Sequence, residues 1–96
     1  MIIAYPVEAI EVCRNNPDID LVLMDIKMPV MDGLEATRQI RKFNKNVIII
    51  VQTAYGLTRD KLNALEAGCN EYISKPIDIT VIKWLIQKHF YQKEGI

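Results

Sequence analysis

Five β-branched residues stand in a row at residues 47–51 (VIIIV), and a second apolar run, LVLM, occupies residues 21–24. Neither run alternates apolar with polar residues. Each therefore reads as a strand covered on both faces, which is how strands of a parallel sheet look when helices lie above and below them. The stretches between carry helical spacing instead. Pro6 suits a first helical turn, and Val7, Ile10 and Cys13 recur at helical intervals until Asn15-Asn16-Pro17 stops them. Asp32 reads as an N-cap with Glu35 as its capping-box partner, opening a helix with Ala36, Ile40 and Phe43 on one face that ends near Asn44. Thr58 can cap a helix over residues 59–67, with Leu62 and Leu65 inward and Gly68 as its stop. Asp78 can cap a last helix whose Ile82, Leu85, Ile86, His89 and Phe90 form an apolar stripe, while Trp84 falls off it. Residues 1–4 read as the end of a strand and residues 71–73 as a short last one. Strand and helix in alternation imply right-handed crossovers and an α/β fold with a parallel sheet.

Composition narrows the function. With 96 residues, half of them hydrophobic, the chain makes one globular domain. Twelve basic and twelve acidic residues cancel, so no overall field favours nucleic acid or an anionic membrane. Arg38, Arg41, Lys42 and Lys45 share a helix stripe, which reads as a solvated face near a helix C-terminus. No apolar run approaches a membrane span, and residues 1–6 lack the basic start and apolar core of a leader, so a cytoplasmic location is expected. Cys13 and Cys69 have no CxxC spacing and no nearby histidine; they read as two buried, reduced thiols. His89, near a helix end, reads as packed or as complementing the helix dipole.

In a parallel sheet all strand C-termini share one edge, where ligands bind. Three residues with chemistry collect there: Asp25 after LVLM, Thr53 after VIIIVQ and Lys75 after the last strand, spaced 28 and 22 residues apart. Each spacing is about one strand–helix unit. Asp25 can simply begin a turn. With the other two, the carboxylate, hydroxyl and ammonium suit a phosphoryl group carried on the carboxylate: the lysine neutralises its oxygens and the threonine donates a hydrogen bond.

The stretches LVLMDIKMPVMDG (21–33), TAYG (53–56) and ALEAGCNEYISKPI (64–77) resemble the response-regulator receiver domain, the phosphoacceptor module of two-component signalling. The resemblance runs from that family's second strand to its last helix, so residues 1–96 read as a partial receiver domain. It implies a flavodoxin-like open parallel sheet with helices on both faces. It implies Asp25 as the phosphorylated residue, Thr53 as the hydroxyl that follows the phosphoryl group, Lys75 as its cation and Tyr72 as the aromatic whose rotamer tracks that state. Pro76 is implied as a cis proline, and Mg2+ as a cofactor bound by Asp25 and the backbone carbonyl of Lys27. The implied partner is a histidine kinase or phosphotransfer protein, and the wording is similar to receivers fused to hybrid sensor histidine kinases.

Receivers open with a strand carrying an acidic pair that completes the magnesium site, followed by a first helix, and this chain has neither. The expected fold therefore lacks the usual first strand and first helix, and the magnesium site is incomplete. In the strand order 2-1-3-4-5 the absent strand is central. Residues 21–24 would then be an unpaired apolar edge beside a half-bare sheet face under the last helix, residues 79 to about 91; residues 1–4 can slide into the gap but cover little of it. A homodimer is expected on that ground. Three functions compete. One is a signalling switch whose only catalysis is its own aspartyl phosphorylation and dephosphorylation. The second is a receiver-like interaction module that cannot be phosphorylated, favoured by the missing acidic pair. The third is a small phosphatase using Asp25 as nucleophile; it is opposed by Lys27 where a second aspartate is wanted.

Overall fold

The computed structural model describes residues 2–26, 31–53, 58–75 and 78–90. Along the chain these form β1 (Ile2–Ala4), α1 (Pro6–Asn15), β2 (Leu21–Ile26), α2 (Met31–Phe43), β3 (Ile48–Thr53), α3 (Thr58–Ala67), β4 (Glu71–Ser74) and α4 (Ile79–Phe90). The four strands make one sheet in the order β1-β2-β3-β4, every pair parallel. The result is the expected flavodoxin-like α/β architecture.

Because strand order follows chain order, every crossover steps the same way, and right-handedness sends α1, α2 and α3 to one face of the sheet. The two apolar clusters agree. Val22, Met24, Ile49, Val51 and Tyr72 pack with Ala9, Cys13, Leu34, Ala36, Ile40, Ala64 and Ala67 of the three helices. Their strand neighbours Leu21, Leu23 and Ile50, with Ile48 and Ile73, pack against Ile82, Leu85, Ile86 and Phe90 of α4. Odd and even positions of β2 thus serve different layers, and both must be apolar.

Several expectations are corrected. Residues 21–24 are no bare edge: β1 pairs along β2 through Ile2 with Val22, Ile3 with Leu23 and Ala4 with Met24. Even three residues of ladder satisfy backbone groups that would otherwise face a vacant edge. The uncovered face does not appear at β2 either, because Leu21 and Leu23 are buried against α4. In α1 the buried pair is Ala9 and Cys13, while Val7, in the first turn beyond a three-residue strand, is exposed. In α3 the inward residues are Ala64 and Ala67, and Leu62 and Leu65 are exposed. Small side chains let α3 approach closely, which residue size misrepresents when the inward face is read from apolar bulk. Phe43 is exposed too, with the Arg14 guanidinium 5.3 Å from its ring centroid.

Helix ends also move. α2 begins at Met31 and so includes Asp32, whose side chain lies outside the described part of the structure, and Glu35 accepts from Gln39 Nε2 at 3.2 Å. α3 likewise includes Thr58. Asp78 does cap α4, its Oδ1 accepting from the Thr80 amide at 2.8 Å. Arg41 does not lie on a solvated stripe. Its Nε donates to Gly68 O at 2.9 Å, and its two terminal nitrogens donate to Asn44 O at 3.2 Å and Asn70 Oδ1 at 2.9 Å. One guanidinium therefore ties the end of α2 to the α3–β4 turn at the sheet's N-terminal edge.

Candidate functional site

Register decides which side chains meet at the C-terminal edge. Asp25 is the next-to-last residue of β2 and lies opposite Gln52; Thr53, the last of β3, lies between Ile26 and Ser74. Lys75 follows β4, and its amide donates to Thr53 O at 2.7 Å, so the ladder continues to the lysine. Strand alternation places Asp25 on the side of Leu21 and Leu23, the α4 layer. Thr53 and Tyr72 fall with Val51 on the other side.

Asp25 and Lys75 are brought together: Lys75 Nζ forms an ion pair with Asp25 Oδ1, the two side chains being 29% and 21% exposed. Asp25 Oδ1 is buried and accepts no other hydrogen bond, so the ammonium is what compensates it. Thr53 is wholly buried at the end of β3, and Tyr72 is buried in the cluster under α1–α3. The four predicted site residues that are described thus divide between the two sides of the sheet, Asp25 and Lys75 in contact on one and Thr53 and Tyr72 on the other. Lys27 and Pro76 lie outside the described residues.

Sequence reasoning missed Gln52. It is a buried polar residue directly beside Asp25 in the ladder. Its signal was present, since a glutamine interrupts the apolar run one residue before Thr53. The cysteines behave as read: both are free and buried, and burial pushes both thiols up, Cys69 to about 11. Such thiols are protonated and inert near neutral pH.

A magnesium ion wants near-octahedral oxygen ligation, commonly one or two carboxylates with water and phosphate oxygens. Asp25 offers one carboxylate, already paired with Lys75. Among the described residues no group of three or more His, Cys, Asp or Glu side chains is gathered. The described residues therefore supply a first ligand and do not complete a site. Among them, too, no helix is long and apolar enough to cross a membrane.

Comparison with known proteins gives a consistent result. The family model of the response regulator receiver domain matches residues 3–87. Hybrid signal transduction histidine kinase M of Dictyostelium discoideum is 42% identical over 86 residues, covering 84% of this chain and 4% of that protein. The chemotaxis protein CheY of Halobacterium salinarum is 44% identical over 70 residues, covering 73% of this chain and 58% of that protein. The chain thus spans less than two thirds of these relatives. Among solved structures, the complex of the Saccharomyces cerevisiae phosphotransfer protein Ypd1 with the receiver domain of Ssk1 aligns with a TM-score of 0.76 at 25% identity, over 92% of this chain and 86% of that one. CheY in the Borrelia burgdorferi CheX–CheY–BeF3–Mg complex shares the fold, with a TM-score of 0.78 at 23% identity over 91% and 86% of the two chains.

Proposed function

The chain belongs to the response regulator receiver domain family, and from that premise we propose that Asp25 accepts a phosphoryl group from a phosphohistidine within a two-component phosphorelay. The observation that carries the assignment is the Asp25–Lys75 ion pair at the C-terminal edge of the sheet. A carboxylate oxygen of Asp25 attacks phosphorus and the imidazole nitrogen leaves, so the bond to nitrogen is exchanged for an acyl phosphate. Lys75 holds the nucleophile beforehand and turns to the phosphoryl oxygens afterwards. It compensates negative charge at both stages. Thr53 donates its hydroxyl to the phosphoryl group, and Tyr72, on the same side of the sheet, responds to the space this opens.

Receiver domains generally bind Mg2+ at this position, where the ion offsets the charge of the incoming group. In this chain Asp25 and the backbone carbonyl of Lys27 are its proposed ligands. The donor is a histidine kinase or a phosphotransfer protein, as the hybrid-kinase relatives and the Ypd1–Ssk1 complex suggest, and the compartment is the cytoplasm. The only catalysis in this reading is the domain's own phosphorylation and dephosphorylation. A receiver-like module that merely binds partners would not need a lysine held on a partly buried carboxylate. Self-association of the chain is supported by the exposed Ile79, Val81 and Trp84 of α4 rather than by a bare β2 edge. A compact monomer at high micromolar concentration in sedimentation would exclude it.

The acceptor assignment is tested by incubating the protein that contains this domain with a small acyl phosphate and Mg2+, beside its Asp25→Asn variant. Label is expected on the first alone. Equal label on both would remove Asp25 from the role.

A further inference from the structure

Gln52 stands where an apolar residue would serve the fold. On the α4 side of the sheet its row runs Asp25, Gln52, Ile73 across β2, β3 and β4. Ile50, its same-side neighbour along β3, is wholly buried, and Ile73 packs in the α4 layer. Two flanks of the carboxamide are thus apolar, and a third is the Asp25–Lys75 pair. Gln52 is only 8% exposed, and among the described residues its side chain takes up no hydrogen bond. Burying a carboxamide without a partner is costly, so the resting state leaves a donor in reserve beside the acceptor carboxylate.

We propose that the Gln52 carboxamide donates to Asp25 Oδ1 once a phosphoryl group has drawn Lys75 away, and so helps set how fast the acyl phosphate forms and breaks. The inference rests on Asp25 being the acceptor. Oδ1 is the buried oxygen of that carboxyl and carries the ammonium, so Oδ2 is the oxygen that meets phosphorus. When Oδ2 bonds phosphorus and the imidazole nitrogen leaves, Oδ1 becomes the carbonyl oxygen of the acyl phosphate. With Lys75 turned to the phosphoryl oxygens, that buried oxygen needs another donor. Adjacent strands lie about 4.8 Å apart, a gap that a glutamine side chain spans. In hydrolysis water attacks phosphorus, one of its protons passes to a phosphate oxygen, and the P–Oδ2 bond breaks with its electrons left on the carboxylate. Charge then grows on Oδ1, so a bond from Gln52 Nε2 strengthens towards the transition state. Formation of the P–Oδ2 bond passes through the same partly charged oxygen, and the donor helps both directions.

The test uses the protein that contains this domain, labelled by a small acyl phosphate with Mg2+. Gln52→Met keeps the length of the side chain and loses the donor. It is expected to slow both the labelling of Asp25 and the decay of the label, each about three- to tenfold. In side-chain amide NMR spectra the Gln52 carboxamide protons should move downfield when the wild type is phosphorylated and stay in place in Asp25→Asn. Altered packing in a variant cannot produce that signature, because it is read on the wild type. Unchanged rates in Gln52→Met, or an unmoved carboxamide in the labelled wild type, would overturn this inference alone and leave Asp25 as the acceptor. Equal label on the wild type and Asp25→Asn would overturn both.

Discussion

Truncating Arg41 to alanine removes three hydrogen bonds at once, to Gly68 O, Asn44 O and Asn70 Oδ1. Hydrogen bonds to a charged donor contribute about 1.5–3 kcal/mol each when well buried. Here the guanidinium is half-buried, and burial lowers its pKa, so desolvation already offsets part of the gain. Water can also reach the freed carbonyls. Discounting by about half leaves an expected loss of about 2–4 kcal/mol, a large share of the stability of a domain this small. Arg41→Lys should recover only part of it, because an ammonium is a point donor and cannot span three acceptors.

The neighbouring glycine sharpens the test. Gly68 has φ +116°, and a Cβ there would meet Arg41 Cγ at 2.8 Å. Gly68→Ala should therefore cost about 1–3 kcal/mol from backbone strain and crowding together. In the Arg41→Ala background the crowding is gone and the strain stays, so the two losses should couple by about 1 kcal/mol. Urea unfolding of the four proteins measures the cycle. A loss under about 1 kcal/mol for Arg41→Ala, or wild-type stability in Arg41→Lys, would refute the view that this fork clamps the sheet's N-terminal edge.

Lys75→Met should cost about 1–3 kcal/mol, because the buried Asp25 Oδ1 loses the cation that compensates it, and should slow labelling by an acyl phosphate about tenfold or more; an unchanged initial rate would remove the lysine from the chemistry. Magnesium titrated into the 96-residue chain should fail to saturate in the low-millimolar range, since the described residues give one carboxylate; a saturable shift of the Asp25 amide at those concentrations would contradict this. Thr53→Ala should accept phosphoryl and lose the difference in partner binding between phosphorylated and free protein, so a preserved difference would place the coupling elsewhere.

The sheet was legible because its signal is redundant: LVLM and VIIIV can be buried on both faces only between two helical layers. The edge was legible for a related reason, since strand ends in a parallel sheet must converge. What misled were inferences from size and from a single helix phase. Leu62 and Leu65 look like an inward face, but Ala64 and Ala67 occupy it. Arg41 belongs to a charged stripe by spacing, and its three acceptors, Gly68 O, Asn44 O and Asn70 Oδ1, come together only once α2 meets the α3–β4 turn. His89 Nε2 lies 2.9 Å from Glu71 Oε2, a contact between residues 18 apart with no local pattern to join them.

Register carries the functional argument one step further. Asp25 and Lys75 stand over the α4 layer, as Glu71 does at the other end of β4, whereas Thr53 and Tyr72 belong to the layer beneath α1–α3. The two pairs join through the backbone, where the Lys75 amide bonds to Thr53 O at 2.7 Å. On the proposed assignment, a group bound at Asp25 that draws Lys75 away would load β4 directly, and the Thr53 hydroxyl would convey the same event to the opposite face. Both faces are tightly filled at this point: Thr53 is wholly buried, Gln52 and Tyr72 nearly so. Close-packed side chains change by discrete repacking rather than by gradual drift. Tyr72 can move only if space opens on its own side of the sheet, and of the proposed phosphoryl contacts only Thr53 lies there. This is why the hydroxyl, and not the lysine, is the element expected to carry the state of Asp25 to the aromatic ring.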